Sequence, residues 1–416
     1  MKILIASDCH LPIPAVQGGA VPSLMDSIVF QNEKQKKLDI TILSVYDKQA
    51  ELKAKNVKKT NYIYIKHNVI ERKLDSAIQF FVEKVIASRK GRNINVLWKC
   101  RVLSFLQVIL TEEDFDAVII ENQGYLTQVF NNSFLFNKYK KKLYYHLHNE
   151  LPDSVNNKVG RTCQYILISK YLSKRVYKKF GKGAIENAYI LKNGIPIQNY
   201  LKTLTGIERV KLREKYGFLQ NEKVICYVGR ICVEKGVLEL LQAFEKINDP
   251  KVNMLVIGST EFGNNITSEF ESEVKDICNK LGNRVKSTGY IPHEEIWKYY
   301  QIGDLAVLPS IWEEPAGLTV LEAMASCIPV ITTNAGGIPE YCTEHGIILE
   351  RGDDLPDKIA KAVNKVLSDY DYWKNQAEIA GKYVADNYSE ECYYDEFVQI
   401  MSKIVQSGGF EYENNL

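Results

Sequence analysis

Short apolar runs alternate with longer amphipathic stretches along most of the chain. Lys2 to Ala6, Ile40 to Ser44, Ala117 to Glu121, Leu143 to His146 and Tyr165 to Ser169 form a first series, each run bounded by turn residues. A second series comprises Val224 to Val228, Met254 to Ile257, Leu305 to Leu308 and Pro329 to Thr332. Near-continuous apolar runs suit strands covered on both faces, and the helical patterns between them predict strand-helix-strand units and parallel sheets. Two such series predict an α/β protein built from two similar halves.

Between the series, Leu191-Lys192-Asn193-Gly194-Ile195-Pro196 combines an Asn-Gly pair with proline, and both break regular structure. The expected division is therefore an N-terminal domain over 1–193 and a second domain over 194–384. From about Tyr370 the pattern is helical and rich in aromatic residues, with Asn387-Tyr388-Ser389 as a break between two helices. The segment 385–416 is expected to be a C-terminal helix packing back on the first domain, with a loose end from Ser407.

Composition narrows the class. At 416 residues the chain exceeds what one core usually supports, and 45% hydrophobic with 25% charged residues is ordinary for a globular protein. A formal charge of +2 supplies no electrostatic reason to expect nucleic acid. The nine cysteines are scattered with no Cys-x-x-Cys pair, which reads as a reduced, cytoplasmic protein without structural zinc. The opening apolar run is too short for a signal peptide. The longest later one, Val102 to Leu110, is interrupted by Ser104 and Gln107 and falls far short of a bilayer span.

The chemistry is densest from Pro309 to Ala325, where a predicted strand runs into a loop and then into a helix starting near Gly317. Free amides at a helix start attract phosphate, and glycine lets a ligand approach the backbone, so Gly317 and Leu318 are candidate diphosphate contacts. Glu314 precedes them in the loop, and Glu322 follows about 7.5 Å up the helix at roughly 1.5 Å per residue. One ligand can therefore meet phosphate-binding amides and two hydroxyl-binding carboxylates.

This segment resembles the E-x7-E signature of retaining glycosyltransferases of family four, in which Glu-Pro-Phe-Gly-Leu is followed by Glu-Ala-Met-Ala. Here the segment reads Glu314-Pro315-Ala316-Gly317-Leu318 and Glu322-Ala323-Met324-Ala325, with Ala316 in place of the aromatic residue. A second element, Gly229-Arg230-Ile231-Cys232-Val233-Glu234-Lys235-Gly236, is similar to the family's diphosphate-binding loop. The resemblance implies the GT-B fold, two facing Rossmann-like domains with a deep cleft, and transfer from a nucleoside diphosphate sugar. It implies Glu314 at the sugar, Glu322 at the ribose, and Arg230 and Lys235 on the diphosphate. Preplaced cations would stabilise the charge that grows on the leaving group, with no metal or other cofactor required.

The looser matches are Gly18 and Gly19 in a loop expected to approach the diphosphate, and Thr288-Gly289-Tyr290-Ile291-Pro292, whose Ile291 is the expected base contact. Gly336 and Gly337 are expected to shape a pocket wall. His148 matches the family's active-site histidine and, just past a strand, is expected at the mouth of the site, with His146 turned into the strand packing and Glu150 a weaker candidate. Asp114-Phe115-Asp116 has the spacing of a metal-binding motif, yet it precedes its strand and so lies at the edge away from ligands. Asp369-Tyr370-Asp371 falls in a polar turn.

Leu11 to Ala20 and Ile257 to Asn265 are similar to bacterial surface-polysaccharide and coat-associated members of the family. The implied partners are a nucleotide-sugar donor, here expected to be a UDP-sugar, and a glycan or lipid-linked acceptor. Lys84, Arg89, Lys90, Arg92, Lys99 and Arg101 flank Val96-Leu97-Trp98, and Lys138 and Lys140 to Lys142 add charge. Basic residues beside apolar ones suit peripheral contact with an anionic membrane, against the plainer reading of a solvated face over core helices. Two other functions fit the same architecture: a nucleotide-sugar epimerase, and a non-catalytic subunit of a transferase complex.

Overall fold

A computed structural model describes residues 1–7, 10–85, 95–186, 188–259 and 269–407. Asp8, Cys9, Arg89, Lys90, Arg92, most of the stretch Ile257 to Asn265 and the end of the tail lie outside the described residues. The chain forms two compact units, one joining Met1–Lys192 to the chain from Tyr393 onward, the other spanning Asn193–Cys392.

The first unit carries seven strands: β1 (Lys2–Ala6), β2 (Asp39–Val45), β3 (Thr60–Ile65), β4 (Ala117–Glu121), β5 (Leu143–Leu147), β6 (Gln164–Leu167) and β7 (Tyr189–Ile190). They lie in the order β3-β2-β1-β4-β5-β6-β7, every pair parallel. The second unit has β8 (Lys223–Val228), β9 (Val252–Ile257), β10 (Val285–Gly289), β11 (Leu305–Leu308), β12 (Val330–Thr333) and β13 (Ile347–Leu349). Their order is β10-β9-β8-β11-β12-β13, again all parallel.

Side chains alternate faces along a strand, and both faces of the second sheet are covered. Ile225 and Tyr227 of β8 join one core with Met254, Val307 and Ile331. Val224, Cys226 and Val228 join the other with Leu255, Ala306 and Val330. This double burial is why the strands read as unbroken apolar runs. Four strands escape that pattern, β3, β7, β10 and β13, and all four are sheet edges. An edge strand has one neighbour, and β10, with the sequence Val-Lys-Ser-Thr-Gly, buries none of its residues fully.

The tail follows a different boundary from the expected residue 385. Tyr388 is buried in the second unit's core, and the Ile195 amide donates to its carbonyl at 2.8 Å, so the chain stays with that unit as far as Cys392. The helix Glu390–Ser407 then turns Tyr393, Tyr394, Phe397 and Met401 into the first unit's core. The Tyr394 hydroxyl donates to Asn32 Oδ1 at 2.6 Å. Among the described residues, no helix is long and apolar enough to cross a membrane.

Candidate active site

In an open parallel sheet, ligands collect at the carboxyl ends of the strands where the strand order reverses, because the adjacent loops diverge there. In the second unit that point lies between β8 and β11. The loop after β8 carries Arg230 and Lys235, and the loop after β11 carries Glu314 and Gly317. The two loops meet: Lys235 Nζ donates to Glu314 Oε1 at 2.5 Å, with the side chains 28% and 15% exposed. Ser310 Oγ donates to the same oxygen at 2.7 Å.

Backbone bonds hold this arrangement. The amides of Ile311 and Trp312 both donate to the Glu234 carbonyl, at 3.0 and 3.1 Å. The loop after β12 braces the other side: the Gly337 amide donates to the Glu314 carbonyl at 2.6 Å, and the Gly336 amide to Glu313 Oε2 at 2.7 Å. Arg351 ties in the loop after β13 through an ion pair to Glu313 at 2.8 Å and a bond to the Ile311 carbonyl at 2.9 Å. Gly336 and Gly337 thus support the backbone of Glu314. Arg230 is exposed just after Gly229. Sequence reasoning passed over Ser310, Glu313 and Arg351, although the first two lie inside the motif.

The helix Leu318–Ala325 starts at Gly317, its N-cap. Leu318 and Ala316 are partly buried against the core. One turn on, Glu322 is only 4% exposed, and His293 Nε2 donates to its Oε1 at 2.8 Å. A buried carboxylate needs such partners. That hydrogen bond raises the pKa of His293, against an opposing contribution from burial. The buried Tyr200 phenol is pushed up by burial and further by the charge of Glu322. Ile291 packs partly buried against the same core, two residues before His293. His293 was not anticipated; its signal was an ionisable side chain in a loop already marked for the nucleoside.

In the first unit the order reverses between β1 and β4. The loop after β1 holds Gly18 (φ 76) and Gly19 (φ 102), which caps the helix Ala20–Gln35. His148 follows β5, and here the structure corrects the expectation of a histidine at an open mouth. It is 5% exposed, and its Nε2 lies 2.8 Å from Glu121 Oε2. His146 is fully buried, with its Nδ1 at 3.0 Å from Glu121 Oε1. The β4–β5 register sets Glu121 opposite His146, and the two imidazoles, with ring centroids 3.9 Å apart, meet on its carboxylate.

Burial holds the His148 pKa down at about 4, helped by His146 and only partly offset by Glu121. Burial pushes Glu121 up, but the two imidazoles outweigh it and hold the carboxyl at about 2. Glu150 instead accepts from the Tyr171 hydroxyl at 2.7 Å and pairs with Arg175.

Glu121, His146 and His148 offer ligand atoms within 4.8 Å of one another, the one such group among the described residues. Asp114 pairs with Lys138 at 2.9 Å, and Asp116 accepts from the Lys2 amide at 2.8 Å, both at the amino end of β4. Asp369 caps the helix Tyr370–Asn387.

Two parallel-sheet α/β units with a helical C-terminal region define the GT-B fold. Residues 208–383, all within the second unit, match the family described as Glycosyl transferases group 1. An uncharacterized glycosyltransferase of Methanocaldococcus jannaschii is 31% identical over 237 residues, covering 55% of this chain and 58% of that protein, little more than half of either. Spore coat protein SA of Bacillus subtilis is 26% identical over 395 residues, 92% of this chain and 93% of that protein. The solved structure of Anabaena HepE with UDP and glucose is similar over 97% of this chain and 100% of that one, with 18% identity and a TM-score of 0.70.

Proposed function

We propose that this glycosyltransferase moves a hexosyl group from a UDP-sugar to a glycan or lipid-linked acceptor of a bacterial surface polymer, with retention at the anomeric carbon. The observation that carries the reading is the Lys235–Glu314 pair between the two loops at the switch point, with buried Glu322 one turn beyond the helix start. Arg230, Lys235 and the amides of Gly317 and Leu318 take the diphosphate. Glu314 takes the sugar, Glu322 the ribose, and Ile291 the base.

In a retaining front-face reaction the bond from the anomeric carbon to the diphosphate breaks as the bond to the acceptor oxygen forms. The departing phosphate oxygen accepts the acceptor's proton. No enzyme nucleophile is needed, and Arg230 and Lys235 supply the charge stabilisation that a metal supplies in other transferases. The UDP in the HepE structure supports the donor class, and the likeness to Spore coat protein SA supports the acceptor class.

A thermal-shift panel of UDP-, GDP-, ADP- and dTDP-sugars tests the donor, since a ligand that binds the folded state raises its melting temperature. UDP-sugars are expected to stabilise most. A larger shift with another nucleotide would reassign the donor, and an epimerised sugar formed from donor alone would replace transfer by epimerisation.

On the acceptor side, the helix Val69–Val85 exposes Ile70, Leu74 and Phe81 along one stripe, with exposed Lys73 and Lys84 beside it. Such a face suits the surface of an anionic bilayer. Flotation with vesicles containing a third phosphatidylglycerol is expected to carry the protein upward, and Phe81→Glu to reduce it at least fivefold. Absence of wild-type flotation would remove the membrane from the reading.

A further inference from the structure

The loop after β11 carries two adjacent acids, and the structure gives them opposite partners. Glu314 Oε1 accepts from Lys235 Nζ and from Ser310 Oγ, on the side of β8. Glu313 Oε1 pairs with Arg351 Nη2 at 2.8 Å, and its Oε2 accepts from the Gly336 amide at 2.7 Å, on the side of β12 and β13.

Nothing in the two side chains themselves makes this choice. They are chemically identical neighbours, so a loop free to turn could offer either carboxylate to the Lys235 ammonium. The exchange would keep the charges paired and bring the wrong acid to the point where the strand order reverses. The choice has to be imposed from outside the loop.

Arg351 imposes it. It lies two residues past β13, and three separate N–H groups of its guanidinium are used: Nη2 on Glu313, Nη1 on the Ile311 carbonyl at 2.9 Å and Nε on Asn334 Oδ1 at 3.2 Å. Asn334 is itself fixed, because its amide donates to the Leu349 carbonyl at 2.9 Å. The planar fork therefore ties the loop after β11 to the end of β12 in one orientation, which a lysine ammonium on its flexible stem does not reproduce. Gly336 closes the same side, since a β-carbon there would fall on the Glu313–Glu314 backbone. Glu313 and Arg351 are 38% and 27% exposed, and an ion pair so placed adds little to stability. Its consequence is orientation.

We propose that Arg351 is the positioning residue that sorts the two acids: by claiming Glu313, it leaves Glu314 as the carboxylate beside Lys235. That Glu314 then faces the donor sugar rests on the transferase reading; the sorting does not.

The sorting can be read on the full-length protein without substrate. A water-soluble carbodiimide activates a carboxylate, and the neighbouring lysine nitrogen displaces it as a urea, leaving an amide bond that mass spectrometry of the digested protein locates. Wild-type protein is expected to join Lys235 to Glu314, and Arg351→Ala to divide the link between Glu314 and Glu313. A wild-type link to Glu313, or an Arg351→Ala protein still linked at Glu314 alone, overturns the proposal.

Kinetics carries the same test to the reaction. Arg351→Ala is expected to lower kcat about tenfold or more with UDP affinity changed less than about threefold, because a small misplacement of a group at the reacting centre costs up to roughly 10²-fold. Arg351→Lys is expected to recover little of that loss. Adding Glu313→Gln to Arg351→Ala removes the competing carboxylate and is expected to raise kcat about fivefold, a non-additive effect of two residues in contact. A double variant no faster than Arg351→Ala is the result of a merely structural role, and it overturns the sorting. Wild-type protein with the expected link but no binding of any nucleoside diphosphate sugar overturns the transferase reading and leaves the sorting standing.

Discussion

Lys235→Ala is expected to reduce transfer about a thousandfold while the protein stays folded. As the sugar leaves, negative charge accumulates on the diphosphate, and one preorganised partner for developing charge is worth on the order of 10²–10³ in rate. The native pair with Glu314 is partly solvated, so it contributes at most about 1 kcal/mol to stability. Without the ammonium, Glu314 retains its hydrogen bond from Ser310 at 2.7 Å. The melting temperature should therefore shift by only a few degrees. Glu314→Ala is expected to abolish transfer to a similar extent by removing the sugar contact. Steady-state kinetics alongside calorimetric melting separates the two effects, and full activity in either variant would sink the site assignment.

The second large effect concerns two glycines with opposite roles. Gly336 has φ 55, and a β-carbon there would fall on the backbone of Glu314. Gly336→Ala thus combines a left-handed alanine with a clash against backbone that cannot swing aside, and about 3 kcal/mol of destabilisation is expected. Gly317 differs: its φ is −118, and the nearest atoms to an added β-carbon, on Ile338 and Val320, would be at 3.5 Å, an ordinary contact. The fold does not demand glycine at that helix start. Gly317→Ala is expected to melt within a few degrees of wild type but to bind UDP at least tenfold more weakly, because the methyl group occupies the approach to the amides. Equal loss of stability in both variants would remove the ligand from the argument about Gly317.

Legibility in the sequence followed burial. The central strands β1, β4, β8 and β11 are covered on both faces and stand out as apolar runs. β3, with alternating Asn61, Tyr62 and Tyr64, and the polar β10 do not, because an edge strand is selected for one neighbour and partial exposure. The same logic divides the site. Glu314, Gly317 and Glu322 sit close together on one loop and helix, so their spacing was readable. The partners of Glu322 and His148 were not. His293 lies 29 positions from Glu322, and Glu121 lies 27 from His148. Those pairs are made by sheet order and strand register, which no local pattern records. The two-residue spacing of His146 and His148 did carry a clue that they share a face. Reading them separately obscured the carboxylate between them.

The most direct measurement is calorimetric titration of UDP into wild-type protein, Lys235→Ala and Glu322→Gln. The account predicts one saturable site in the wild type, at least tenfold weaker in each variant, with all three proteins melting cooperatively. Wild-type protein that takes up no UDP, or variants that bind it as tightly as wild type, would contradict the assignment of these residues to a nucleotide-sugar site.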